Sequence, residues 1–181
     1  VTEPLEGHGF QLRRAARADA DFLVGLATDE DIEPFMSAVS ARDKASLLEE
    51  IERSETEPDV HGRFVIEVEW HGSSWPAGTM AFSTGNRRSR IAQLYGVMLH
   101  PDFRGRGLAA EATKLVARHL IFDLDFHRVQ LECYGFNDRA IRHFERAGFT
   151  KEGVKRKAYW RHDEWVDGIV FGLVREDLEP A

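Results

Sequence analysis

Leu99-His100-Pro101-Asp102-Phe103-Arg104-Gly105-Arg106-Gly107-Leu108-Ala109 carries an apolar strand end through a proline stop and two glycines into the first turn of a helix. Such a junction attracts anions. The first N–H groups of a helix lack an intrahelical partner, the positive end of its dipole faces the loop, and glycine lets a phosphate approach the backbone. Arg104 and Arg106 add charge. Residues 105–110 also satisfy the dinucleotide pattern G-x-G-x-x-G/A, and a strand-to-helix turn that binds nothing has the same look. A dinucleotide fold wants its first glycine directly after the first strand, with several strand and helix units to follow. Here residues 101–104 intervene, an antiparallel meander precedes, and too little chain remains.

Working outward from the loop, residues 91–99 read as the strand that feeds it, and residues 107–122 as a long helix with Leu108, Ala112, Leu115, Val116, His119 and Leu120 in helical period. Upstream, residues 10–14 form a short strand. Residues 19–27 form a helix after a capping-type Asp19, and residues 41–53 a second helix with Leu47, Leu48 and Ile51 on one side. Phe64, Ile66, Val68 and Trp70 mark a strand that turns at His71-Gly72; residues 77–82 return, and Gly85-Asn86 turns the chain again. Downstream, residues 128–134 alternate, with Val129, Leu131 and Cys133 on one face and Arg128, Gln130 and Glu132 on the other. Asn137 is a natural N-cap for a helix through Arg146, and Gly148 suits its C-terminal end. Residues 150–160 and 165–174 read as a hairpin turned at His162-Asp163-Glu164.

A chain of 181 residues that is 43% hydrophobic reads as one unit over 1–181: an α/β (α+β) domain with a mixed, mainly antiparallel sheet flanked by helices. The formal net charge of -7 leaves no broad basic surface for nucleic acid and suits a cationic partner. The single cysteine, Cys133, provides neither an intrachain disulfide nor a metal-ligand cluster, so no metal is expected and a reducing cytoplasm is the default location. No apolar run approaches a membrane span, and residues 1–10 have neither a basic n-region nor an apolar h-region, so no membrane partner is expected. A homodimer is left open.

Asn137-Asp138-Arg139-Ala140-Ile141-Arg142-His143-Phe144-Glu145-Arg146-Ala147-Gly148-Phe149 resembles the GNAT motif N-x-x-A-x-x-x-[YF]-x-x-x-G-F, and Arg104, Gly107 and Ala109 fill the fixed positions of the GNAT signature Q/R-x-x-G-x-G/A. The two occur in the family's order, and Tyr159 with residues 165–171 is similar to the ending of its RimJ/RimL-like branch. The resemblance implies acetyl-CoA as co-substrate and a primary amine as acceptor, a protein N-terminus or a small molecule, acetylated by direct attack in a ternary complex. It implies that pantetheine lies along Val97, Met98 and Leu99 and that the pyrophosphate rests on Arg104, Gly105, Arg106, Gly107, Leu108 and Ala109. Asn137 and Phe144 are then near the thioester, and Glu132 stands where some members carry a general-base glutamate; Glu33 and His162 are weaker candidates. Phe144 departs from the commoner tyrosine that protonates the departing sulfur, with Tyr134 and Tyr159 as substitutes. Cys133, alternating with buried positions, is not expected to carry an acyl group. Two rival readings are a catalytically silent acyl-CoA-binding module and a dinucleotide-binding oxidoreductase.

Overall fold

The computed structural model describes residues 3–36 and 41–179; the first two residues of the N-terminal stretch 1–10, and the last two of the 1–181 span, lie outside these. Strands β1 (Leu5–Glu6) and β2 (Phe10–Arg14) are followed by helices α1 (Ala20–Ala27) and α2 (Lys44–Thr56). The meander β3 (His61–Trp70), β4 (Ser73–Asn86) and β5 (Ile91–Leu99) leads into α3 (Leu108–Arg118). Strand β6 (Arg128–Tyr134), helix α4 (Asp138–Arg146), the hairpin β7 (Thr150–Arg161) and β8 (Glu164–Val174), and a final turn α5 (Arg175–Leu178) complete the order.

The strands form one eight-stranded sheet in the order β1-β2-β3-β4-β5-β6-β8-β7, antiparallel throughout except for β5 against β6. This α+β architecture is the one expected. The doubly wound parallel sheet of a dinucleotide-binding fold is not present, and the glycine loop follows the fifth strand.

Both faces of the sheet are covered, because alternate residues of each strand point to opposite sides. Phe64 and Ile66 of β3 join Met80, Phe82 and Leu94 in a core closed by Ala112, Val116 and Leu120 from the α3 side and Phe144 from α4. Val65 points the other way and packs with Leu23 of α1 and with Leu47 and Ile51 of α2. Burying each of the larger apolar side chains fully contributes roughly 1.5–3 kcal/mol.

The bounds of β2, β5 and β6 fall where the sequence places them, β2 and β6 by alternation and β5 by the proline that follows it. Helix α2 starts three residues later than its periodicity suggests, since the Asp43 carboxylate accepts from the Ser46 N–H at 3.0 Å and so fixes the cap there. Asp19 does not cap α1 with its side chain. Its carboxylate is taken by Arg13, at 2.7 and 2.8 Å, and by the Ala16 N–H at 2.7 Å. The long helix after the loop ends at Arg118 and widens into a π turn over His119–Asp123. Short β1 and α5 carry no periodicity from which they could be read.

His61 at the start of β3 is buried and neither ring nitrogen has a hydrogen-bond partner among the described residues. Burial holds its pKa down, to about 4. The unfolded chain takes up a proton below about 6.5 and the folded one only near 4, so His61 leaves stability intact above pH 6.5 and removes it as pH falls towards 4. His61→Phe is expected to flatten that acid limb, recovering on the order of 3 kcal/mol at its foot. Denaturant titrations at a series of pH values check this; a limb as steep as the wild type's would contradict it.

Candidate active site

Strands β5 and β6 pair at only three positions, Ile91 with Arg128, Ala92 with Val129 and Gln93 with Gln130. A bond from Gln130 Nε2 to Gln93 Oε1, at 3.0 Å, closes the ladder. Beyond it the strands part. A bulge in β5, where Ala81 faces Tyr95 and Thr79 faces Met98, places an extra residue at the point of departure, and Gly96 takes φ +61° there. The opening is a cleft of about 810 Å³ lined by residues 94–99 and 131–134 from the two strands.

At one end of the cleft lies the glycine loop. Phe103 is buried against Trp70, with ring centroids 5.4 Å apart, and Arg104 turns back to donate from Nε to the Leu99 carbonyl at 3.2 Å. Gly105 and Gly107 both lie in the left-handed region, at φ +78° and +75°. A Cβ built on either meets nothing within 4 Å, so backbone conformation demands glycine at both, and the space beside them is open. The N–H groups that open α3 lie at this end. Arg104, Arg139, Arg142 and Arg146 line the same cleft. The Arg104 guanidinium has its pKa lowered by burial and then by Arg139, yet an arginine remains a cation at neutral pH. Open space, free donors and cations fit a pyrophosphate.

Of the candidates drawn from the sequence, Val97, Met98, Leu99, Arg104, Gly105, Gly107, Leu108, Ala109, Glu132, Asn137 and Phe144 all line the cleft. Arg106 is not among the lining residues; its guanidinium stacks over the Trp70 ring at 4.8 Å. Asn137 also caps α4, its Oδ1 accepting from the Ala140 N–H at 3.1 Å. Phe144 is wall and core together, buried with its ring 5.7 Å from that of Phe171.

Glu132 is half-buried on β6, facing across to β7 and β8. Arg128, on the same face of β6, is taken by Glu152 at 2.6 Å, and Lys155 bonds Oε2 of Glu132 at 2.5 Å. The other oxygen, Oε1, is buried and unbonded. The Tyr159 phenol lies beside the carboxylate, which raises its pKa. Glu33 pairs with Arg42 at 2.8 Å, and His162 Nε2 lies 3.2 Å from the Pro34 carbonyl, so the hairpin tip meets the loop after α1, and neither candidate lines the cleft. Burial, then Glu132, pushes the Cys133 thiol up to about 12, leaving no thiolate at neutral pH.

Other lining residues went unnoticed in the sequence: Glu50 from α2, Tyr95 and Gly96 from β5, and His143 from α4. His143 Nε2 lies 2.9 Å from Thr113 Oγ1, and burial holds its pKa down, to about 4, so the ring is neutral at neutral pH. A glycine inside the alternating run of β5 was the one available signal, since an isolated strand glycine marks a bulge. Among the described residues no group of His, Cys, Asp or Glu side chains could hold a metal ion, and no helix is long and apolar enough to cross a membrane.

The fold defines an α+β protein with a cleft that opens where a parallel strand pair parts beside a glycine loop. The chain belongs to the acetyltransferase (GNAT) domain family, whose pattern matches residues 10–150. It is 36% identical over 85 residues to the SPbeta prophage-derived uncharacterized N-acetyltransferase YokL of Bacillus subtilis, covering 47% of this chain and 48% of that one. The chain spans about half the length of the curated relatives it matches. Among solved structures it resembles the ribosomal-protein-S5-alanine acetyltransferase of Vibrio fischeri, with a TM-score of 0.80 at 19% identity over 99% of this chain and 100% of that one. It also resembles a Vibrio cholerae spermidine N-acetyltransferase in complex with CoA and spermine, with a TM-score of 0.78 at 20% identity over 94% and 98% of the two chains.

Gly168 of β8 lies beneath Glu132 and Tyr159: a Cβ there would stand 2.3 Å from Glu132 Oε1 and 2.7 Å from Tyr159 Cε2. Gly168→Ala is therefore expected to displace both side chains and to lower stability by about 1–3 kcal/mol. Thermal unfolding and a crystal structure of the variant check it; an undisturbed Glu132 at wild-type stability would contradict it.

Proposed function

We propose that the protein is an acyl-CoA-dependent N-acetyltransferase that moves the acetyl group of acetyl-CoA to a primary amine, by direct attack in a ternary complex. The observation that carries the reading is the parting of β5 from β6 directly beside the glycine loop. The freed edge of β5 offers Val97, Met98 and Leu99 as a strand-like partner for pantetheine amides. Arg104, the N–H groups from Gly105 to Ala109 and the start of α3 take the pyrophosphate. Arg106 acts there through its backbone N–H while its side chain stays on Trp70. Asn137 and Phe144 line the arm near the thioester.

When bound, acetyl-CoA supplies an activated thioester carbonyl. The residues must present an amine in its neutral form, because a lysine-like amine with a pKa of about 10.4 is mostly protonated near pH 7. Glu132 takes that proton, directly or through water. Lys155 and Tyr159 hold the carboxylate in place. Backbone N–H groups at the β5 bulge stabilise the oxyanion as it develops. Phe144 offers no proton to the departing thiolate, which leaves unassisted or takes a proton from Tyr134, Tyr159 or water. The acceptor is a protein N-terminus, as in the RimJ/RimL-like branch, or a small amine such as the spermidine named for one of the similar structures. Phe144 favours the second reading, an acyl-CoA-binding module without turnover. Free-thiol release from acetyl-CoA over a panel of polyamines, amino acids and N-terminal peptides separates the two.

Gly107→Glu puts bulk and negative charge where the pyrophosphate is expected and forces a left-handed φ on a side chain. Calorimetry should show acetyl-CoA affinity lost in the folded variant; wild-type affinity would refute the placement. Glu132→Gln should slow turnover by roughly 10²-fold with acetyl-CoA affinity little changed. An unaltered rate and an unaltered acidic limb of the pH–rate profile would assign Glu132 to the structure alone.

A further inference from the structure

Arg63, the third residue of β3, is among the largest fully buried side chains, 1% exposed. It shares the α2-facing side of the strand with Val65. Burying a guanidinium strips it of water, and one ion pair often fails to offset that loss, so a fully buried arginine needs a reason beyond the pair itself. The guanidinium ion-pairs with Glu50, with Nε donating to Oε2 at 3.0 Å and Nη2 bonded to the same oxygen. Nη1 lies 3.5 Å from Thr79 Oγ1, whose hydroxyl donates to the Phe64 carbonyl at 2.7 Å. The Tyr95 hydroxyl lies 3.4 Å from the other oxygen of Glu50, and the Tyr95 ring is 5.8 Å from the guanidinium carbon.

The guanidinium also lies beside Gly96, on the side where a side chain would project. A Cβ at Gly96 would stand 3.2 Å from Nη1, 3.7 Å from Nη2 and 3.9 Å from the guanidinium carbon. Glycine at this position both adopts φ +61° and admits the cation to the main chain. The contact occurs at the β5 bulge, within three residues of the last rung that joins β5 to β6. Glu50, Tyr95, Gly96 and Val97 line the cleft, and Arg63 stands behind them.

We propose that Arg63 is a positioning residue: braced by Glu50 and Thr79, its guanidinium props the Gly96–Val97 bulge from behind and sets the direction of the bulge N–H groups towards the reacting carbonyl. The inference rests on the acetyl-CoA reading of the cleft. A planar guanidinium suits the task because it holds a carboxylate through two nitrogens while presenting its flat edge to a backbone, which an ammonium cannot do.

The test uses acetyl-CoA carrying ¹³C at the thioester carbonyl and isotope-edited infrared difference spectroscopy. Donors aimed at the carbonyl oxygen polarise it and lower its stretching frequency. With wild-type protein at saturation, the bound carbonyl band is expected below that of free acetyl-CoA. Arg63→Met should return the band most of the way to the free position, with calorimetric acetyl-CoA affinity within about threefold of wild type, because the pyrophosphate end of the cleft is untouched. The double variant Arg63→Met with Glu50→Leu removes both charges together, a change that buried ion pairs tolerate far better than the loss of one partner, and it should give the same band. Arg63→Lys keeps the charge but not the fork and should fall between the two. A wild-type band in folded Arg63→Met or in the double variant would overturn the role of Arg63. Failure of the wild-type protein to bind acetyl-CoA at all would instead overturn the reading of the cleft.

Discussion

The short parallel ladder between β5 and β6 is the constraint on which the structure turns. Three rungs hold the two strands at one end, and the rest of each strand is paired only on its far side, β5 to β4 and β6 to β8. Parallel strands need a crossover between them, here α3, and its N-terminus follows the glycine loop at the open end of the gap. Widening at Gly96, the left-handed turns at Gly105 and Gly107, and the start of α3 therefore meet at one local failure of pairing. Elsewhere unpaired edge groups invite association with another chain; here they face the cleft.

Charge is distributed in keeping with that geometry. Arginines from the loop and from α4 line the cleft together with Glu132 on β6 and Glu50 from α2. Each of these two carboxylates is already tied to a cation, Lys155 and Arg63 respectively, so the lining is preorganised rather than recruited when a ligand enters. Gly168 beneath Glu132 and Gly96 above Arg63 play matching parts: both remove a side chain so that a charged group can lie close to the backbone.

Much of this was legible in the residue order. Period-two alternation marked β6 to the residue, the proline stop marked the end of β5, and Asn137 and Gly148 marked the ends of α4, because those signals are local: a pleat, a proline, a cap, a left-handed turn. The candidates drawn from the glycine loop and from the helix after Asn137 line a single cleft, all but one of them. Arg106 was the exception, since nothing in the loop's sequence discloses that Trp70, at the end of another strand, attracts its guanidinium. Asp19 looked like a cap for the same reason: its rival partner Arg13 belongs to a neighbouring strand.

The sequence by itself determined the order of all the elements but the short β1 and α5, the family, and the glycine turn that opens α3, all of which depend on residues close together along the chain. Tertiary structure alone decided which partner each charge found and where the sheet opens. Lys155 rather than Arg128 holds Glu132, and Arg63, Glu50 and Gly96 meet although three separate elements carry them. The physical reason is that an ion pair or a close backbone approach is fixed by distance in space, and strand register sets that distance. Register emerges only when the whole sheet has assembled.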